Sequence, residues 1–304
     1  MRPFPLVLAG SLAVSLLFLT VPVAAIFLDT SPAALWHSLG EEGALDALRL
    51  SLVCSTAALA FLTLPVAAIF LDTSPAALWQ SLGEEGALDA LRLSLLCSTA
   101  ALVLILLVGT PAAWLLATRR FRGRSLAITL VELPLVLPPA VAGIGLLAAL
   151  GPQGVLGGAI GDRLVLTTAG VVCALTFVSA PFYLRQAQAA FEALDPTWLD
   201  ASRTLGATEA RTFARIAIPA AGPGLLAGVA LAWGRALGEF GATLMFAGSF
   251  RGITQTVPLA IYERFGTDFT SALALSAVLV GVSAALLASV KLLSGTGWLG
   301  GAAR

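Results

Sequence analysis

Charge is scarce in this chain. Only 11% of its 304 residues are Asp, Glu, Lys or Arg, 58% are hydrophobic, and the mean hydropathy is +0.95. A soluble domain cannot hide that much apolar surface. Basic and acidic residues balance at 17 each, so no excess charge draws the chain to nucleic acid. His37 is the single histidine, which leaves imidazole catalysis or a histidine metal site without a second group. Cys54, Cys97 and Cys173 sit in apolar segments without metal-site spacing and read as buried thiols. The one lysine, Lys291, is in no G-x-x-x-x-G-K-[ST] pattern, so a P-loop ATPase is excluded. Nothing in the composition calls for a cofactor.

What is present in quantity is the long apolar run. Stretches of about 20 apolar residues recur along the chain, which marks an all-α polytopic membrane protein. Residues 2–28 have the look of a signal peptide: Arg2, an apolar run, then Val23-Ala24-Ala25. The length of that run and the many later spans favour an uncleaved first helix.

An internal repeat follows. Phe18–Leu59 and Phe61–Leu102 align at a 43-residue offset and differ only at Val21/Leu64, His37/Gln80 and Val53/Leu96. Such closeness reads as a recent tandem duplication, and removal of one copy leaves 261 residues. The His37/Gln80 exchange argues for a surface position. Joining two copies also creates a hybrid apolar stretch, Leu50–Leu71, with no Arg cluster at either end to orient it. We therefore divide the chain into an N-terminal part, residues 1–90, and a core, residues 91–304. Six spans, as in the 261-residue version, put both termini inside; a seventh, hybrid span puts the N-terminus outside. The hybrid is expected as a helix near the outer edge, with the five later helices keeping their arrangement.

Leu91–Leu116 reads as a clear span ending at Arg119, Arg120, Arg122 and Arg124, which marks a cytoplasmic loop. Leu126–Leu150 reads as a span interrupted by Pro134, Pro138 and Pro139 and by Gly143 and Gly145. Gly151–Arg163 is an outer loop, Leu164–Leu184 returns inward, Ile218–Phe246 runs outward, Gly248–Asp268 is an outer loop, and Phe269–Leu293 comes back in.

The polar stretch Asp200–Pro219 lies between two such runs. Asp195 can cap a helix starting at Pro196, where a missing N–H costs nothing. Trp198, Ala201, Ser202 and Leu205 then share one face at i, i+3, i+4 and i+7, and Gly206 is a natural stop. Thr208 can open a second short helix toward Ile216 and Pro219. The face, small in the middle and bulky at its ends, suits a groove on another protein.

This stretch resembles the cytoplasmic loop of binding-protein-dependent ABC importer permeases, EAA-x3-G-x9-I-x-LP. Asp200, Ala201 and Ser202 stand for EAA, Gly206 and Ile216 keep the spacing, and Ile218-Pro219 replaces LP. The segment Arg235-Ala236-Leu237-Gly238-Glu239-Phe240-Gly241-Ala242-Thr243 is similar to the molybdate/tungstate branch. Sulfate/thiosulfate permeases carry a similar R-x-x-G-E-[FY]-G. The resemblance implies a type I importer permease fold with six core spans, in a bacterial plasma (inner) membrane. It implies a permease homodimer, a cytoplasmic ABC ATPase dimer docked on Trp198, Asp200, Ala201, Ser202, Leu205 and Gly206, and an extracytoplasmic molybdate-binding protein. The chain itself is then not an enzyme. An ion-gradient-driven transporter is the alternative; it calls for inverted repeats or charged pore rings, and the repeat here is direct.

A tetrahedral dianion needs a polar path that binds it weakly. Arg235, Glu239 and Thr243, with the Gly238 and Gly241 backbone, are the path candidates. The competing reading makes Arg235 and Glu239, at i and i+4, a self-neutralising pair that holds a helix in register, and the glycines points of close helix packing. Glu132 is a lone carboxylate of the same kind.

Overall fold

The computed structural model describes residues 50, 52–54, 56 and 63–295. The first span and most of the first copy of the repeat lie outside the described residues; within the hybrid Leu50–Leu71, the described residues 50, 52–54, 56 and 63–71 are helical, as expected of it. Two units separate, Met1–Ala68 and Ile69–Arg304, and only the second is described at length. Among the described residues every regular element is helical.

In the second unit α1 (Pro75–Gly83) starts at a serine cap: Ser74 accepts from the Ala77 N–H at 3.1 Å. Then come α2 (Ala87–Thr118), α3 (Arg124–Val136), α4 (Pro139–Leu150), α5 (Gly157–Leu164) and α6 (Thr168–Glu192). They are followed by α7 (Pro196–Thr204), α8 (Glu209–Ala220), α9 (Gly222–Leu237), α10 (Gly241–Ala247), α11 (Val257–Phe265) and α12 (Phe269–Gly295). Three helices, α2, α6 and α12, are each long and apolar enough to cross a bilayer.

Leu126–Leu150 is interrupted at its prolines, as expected, and sharply. It folds as two helices, α3 and α4, bent by 120°. The break falls at Leu137-Pro138-Pro139, where two prolines in succession disfavour helix in the residue before each. Pro134, Gly143 and Gly145 stay inside helices. Ile218–Phe246 is likewise broken rather than one straight helix. α8 and α9 meet at 75°, and the chain breaks again at Gly238–Phe240 before α10. Both stretches read as outer loops contain a short helix, α5 and α11. α6 runs two turns beyond Leu184 and takes in Arg185 and Glu192.

In a bilayer, helices gain little from burying apolar area against each other, so close packing has to hold them. Tyr183 of α6 is 1% exposed and lies between two glycines. A Cβ on Gly109 of α2 would come within 3.2 Å of its ring, and one on Gly228 of α9 within 3.0 Å. Thr110 donates to the Leu106 carbonyl at 2.7 Å, so the Tyr183 hydroxyl, 2.7 Å from Thr110 Oγ1, is the donor in that contact. α4 and α10 approach more closely still. A Cβ on Gly143 would meet the Ala242 carbonyl oxygen and Met245 Cβ at 2.7 Å each, and one on Gly241 would meet Pro139 Cβ at 2.8 Å.

The second copy of the repeat, from Ile69 onward, is built into this unit. It supplies α1, the first half of α2 and Glu84, which pairs with Arg264 at 3.1 Å and accepts from Ser271 at 2.7 Å. A chain lacking residues 18–60 retains every one of these residues. It is therefore expected to insert with an unchanged yield and a single sharp size-exclusion peak. Loss of that peak would show that the first copy is needed for folding.

Candidate functional site

The helix α7 and its neighbour α8 form a polar elbow beside the end of α6. The start matches the sequence reading: Asp195 Oδ1 accepts from the Thr197 N–H at 2.9 Å, with Pro196 in the first turn. That backbone N–H also holds the Asp195 carboxyl below the usual carboxylate range, so the cap is charged at neutral pH. The stop matches too. Gly206 has φ +77°, the Ala207 N–H reaches the Ser202 carbonyl at 3.1 Å and the Gly206 N–H reaches Arg203 at 2.9 Å. This is a Schellman end, which needs the left-handed conformation that glycine adopts freely. Thr208 caps α8 by accepting from the Arg211 N–H at 3.3 Å.

The face of α7 divides differently from the sequence expectation. Trp198, Asp200, Ala201, Leu205 and Gly206 are exposed, Leu205 at 88%. Ser202 is 5% exposed and points inward beside Leu199; its Oγ lies 2.8 Å from Thr212 Oγ1. Ser202 thus ties α7 to α8 and lies off the outer face. Helical spacing alone did not separate the two faces, because Ser202 is adjacent to both. Leu199, Thr212 and Glu209 were not singled out from sequence. Glu209 joins Arg203 at 3.3 Å and Arg119, at the end of α2, at 3.7 Å. All three are well exposed, so these pairs add little energy, and the buried hydroxyl pair is the firmer tie. Ser202→Val is expected to destabilise the elbow by about 1–3 kcal/mol by orphaning Thr212. Faster proteolysis at 204–209 in intact membranes would register it.

Beneath the elbow, Trp114 of α2, Phe191 of α6 and Phe213 of α8 pack with ring centroids 5.3–6.1 Å apart. Phe213–Ala217 is a π turn, with the Ile218 N–H bonded to the Phe213 carbonyl. Pro219 explains it: a proline there lacks an N–H and crowds the Arg215 carbonyl, and one extra residue per turn relieves the clash. Nearby, Glu132 has a partner after all, Arg185 at 2.8 Å. Arg124 donates to the Leu116 carbonyl and to Glu192, both at 2.7 Å.

The second locus is the break between α9 and α10. Glu239 is 1% exposed; Oε1 is hydrogen-bonded, and Oε2 has an ionic partner but no hydrogen bond of good geometry among the described residues. Oε1 accepts from the Ala242 N–H at 2.7 Å, capping α10, and Oε2 meets Arg235 Nη2 at 2.5 Å. The Arg235 side chain is 26% exposed. Thr243 is fully buried in α10, and its hydroxyl has no hydrogen-bond partner among the described residues. Gly241 packs on Pro139, whereas Gly238 is exposed with room around it. Phe240 packs on Tyr262 of α11, ring centroids 5.0 Å apart.

Two bent helix pairs, a buried ion pair at the end of one of them, and a capped surface helix between that pair and α6 fit a transport permease. The chain belongs to the family described as binding-protein-dependent transport system inner membrane component, whose model matches residues 107–295. It is 43% identical over 190 residues to the molybdenum transport system permease protein ModB of Mycobacterium tuberculosis, covering 62% of this chain and 72% of that protein. The sulfate transport system permease protein CysT of Escherichia coli is 37% identical over 189 residues, covering 61% and 68%. The fold is shared with a bacterial ABC transporter involved in import of the acidic polysaccharide alginate. There the TM-score is 0.67 at 18% identity, over 86% of this chain and 98% of that one.

Proposed function

We propose that this chain is the membrane-embedded subunit of an ATP-driven importer for a tetrahedral oxyanion, molybdate first, in the bacterial inner membrane. The observation that carries the reading is the 43% identity to a molybdenum permease over 190 residues. Sulfate is the second reading, supported by the 37% identity to a sulfate permease.

In this reading two copies of the chain enclose the path, two ATPase subunits dock on the exposed face of α7, and a binding protein delivers the anion on the opposite side. The elbow gives the motor something rigid to push. α7 is tied to α8 through Ser202 and Thr212, α8 continues into α9 through the 75° bend, and α9 carries Arg235. Displacement of α7 is thereby passed along one continuous stretch of chain to the ion pair. Arg235, Glu239 and Thr243 remain the path residues of this proposal.

The test is uptake into proteoliposomes holding the permease, its ATPase and its binding protein. Molybdate uptake that requires ATP and is displaced by tungstate but only weakly by sulfate supports the reading. Preferential sulfate uptake moves the chain to the sulfate branch. Accumulation without the ATPase overturns the importer assignment.

A further inference from the structure

Arg235 is the only charged residue of α9. It stands 13 residues beyond the first residue of that helix, so it lies about 20 Å along it, within the depth of a hydrocarbon core about 30 Å thick. Leu231 and Gly238 are exposed beside it at i−4 and i+3. A guanidinium at that depth faces water or protein, because lipid solvates it poorly. Glu239 is the one ionic partner it has among the described residues, and Glu239 is almost completely buried.

Two groups therefore share one job unequally. The carboxylate sits inside, fixed from its other side by the Ala242 N–H, while the guanidinium reaches outward from it. A bare guanidinium in a low-dielectric lumen holds a dianion strongly, and conduction fails when the ion cannot leave. A guanidinium already neutralised offers hydrogen-bond donors with little net charge. We infer that Glu239 is a positioning residue that sets how strongly the permease holds its anion: it neutralises Arg235 while capping α10, so that a dianion is contacted at Arg235 and released. This deepens the proposed path and rests on it.

The capping role and the charge role can be separated. Glu239→Gln keeps a carbonyl oxygen for the Ala242 N–H and removes only the charge. Two quantities are read on the complete complex with its ATPase and binding protein. One is the uptake rate at saturating molybdate-loaded binding protein. The other is the molybdate retained by the nucleotide-free complex after equilibrium dialysis at micromolar molybdate, counted as molybdenum per complex. With Glu239→Gln, uptake is expected to fall about tenfold and retained molybdate to rise about tenfold, as a deeper well on the path requires. Sulfate in the dialysis buffer competes for the retained sites, because the added attraction is one of charge. The double variant Arg235→Gln with Glu239→Gln removes both charges and is expected to lose the extra retention and to recover uptake above the single variant.

Wild-type uptake and wild-type retention in Glu239→Gln overturn the inference. So does a loss of uptake without added retention, which would leave Glu239 a purely structural cap. A sharp size-exclusion peak for both variants establishes that the comparison is between folded complexes. If the unaltered complex imports no tetrahedral oxyanion, the proposed function itself falls. If it does import one and Glu239→Gln is indistinguishable from it, only this inference falls.

Discussion

Gly143→Leu is expected to leave no correctly folded permease, while Gly145→Leu, two residues along the same helix, keeps a sharp size-exclusion peak. The difference lies entirely in what each position faces. A Cβ at Gly143 meets the Ala242 carbonyl oxygen and Met245 Cβ at 2.7 Å and Ala242 Cα at 2.9 Å; at Gly145 it meets nothing within 4 Å. Two of the Gly143 neighbours are backbone atoms of α10, which cannot rotate away. Even one extra methyl in such a place typically costs about 1–3 kcal/mol, and three further carbons exceed what the α4–α10 contact can absorb. The damage also reaches the break, because α10 is the helix that Glu239 caps. Fluorescence-detected size exclusion of tagged variants reads the result. A sharp peak for Gly143→Leu would mean that α4 and α10 separate without harm.

Leu205→Asp is expected to do the opposite, leaving the fold intact and sharply reducing transport. Leu205 is 88% exposed at the end of α7, so its removal opens no cavity. An exposed leucine at the edge of a docking helix is an anchor in the proposed complex, and losing such an anchor costs about 2 kcal/mol or more, roughly thirtyfold in affinity. The variant should insert normally, show uptake reduced at least tenfold, and leave ATP hydrolysis no longer stimulated by loaded binding protein. Leu199→Asp, one turn and a half earlier and 9% exposed, is the internal comparison: it should lose the elbow itself. Full uptake by Leu205→Asp would remove α7 from the motor contact.

These two cases show where the sequence was legible. The Asp195 cap, the Pro196 start and the Gly206 stop are decided by residues within a turn of each other, and each was readable and each is present. The membrane class followed from composition alone. Gly143 and Gly145 are the same letter in the same apolar run, and only the helix laid across one of them makes it irreplaceable. Ser202 sat at the margin of two faces until Thr212, ten residues away, drew it inward. The 120° turn was signalled by its prolines, but a proline says that a helix ends and not where the chain goes next. The short helices α5 and α11 are too brief for periodicity to separate from loop.

Tyr183, gripped by glycines of α2 and α9, has a mechanical corollary. Those three helices have no slack at that seam: a slide of even one side chain's width would drive the ring into backbone. Any motion that opens the path must therefore carry α2, α6 and α9 as one keel, driven through α8, and be taken up at the proline corner between α3 and α4.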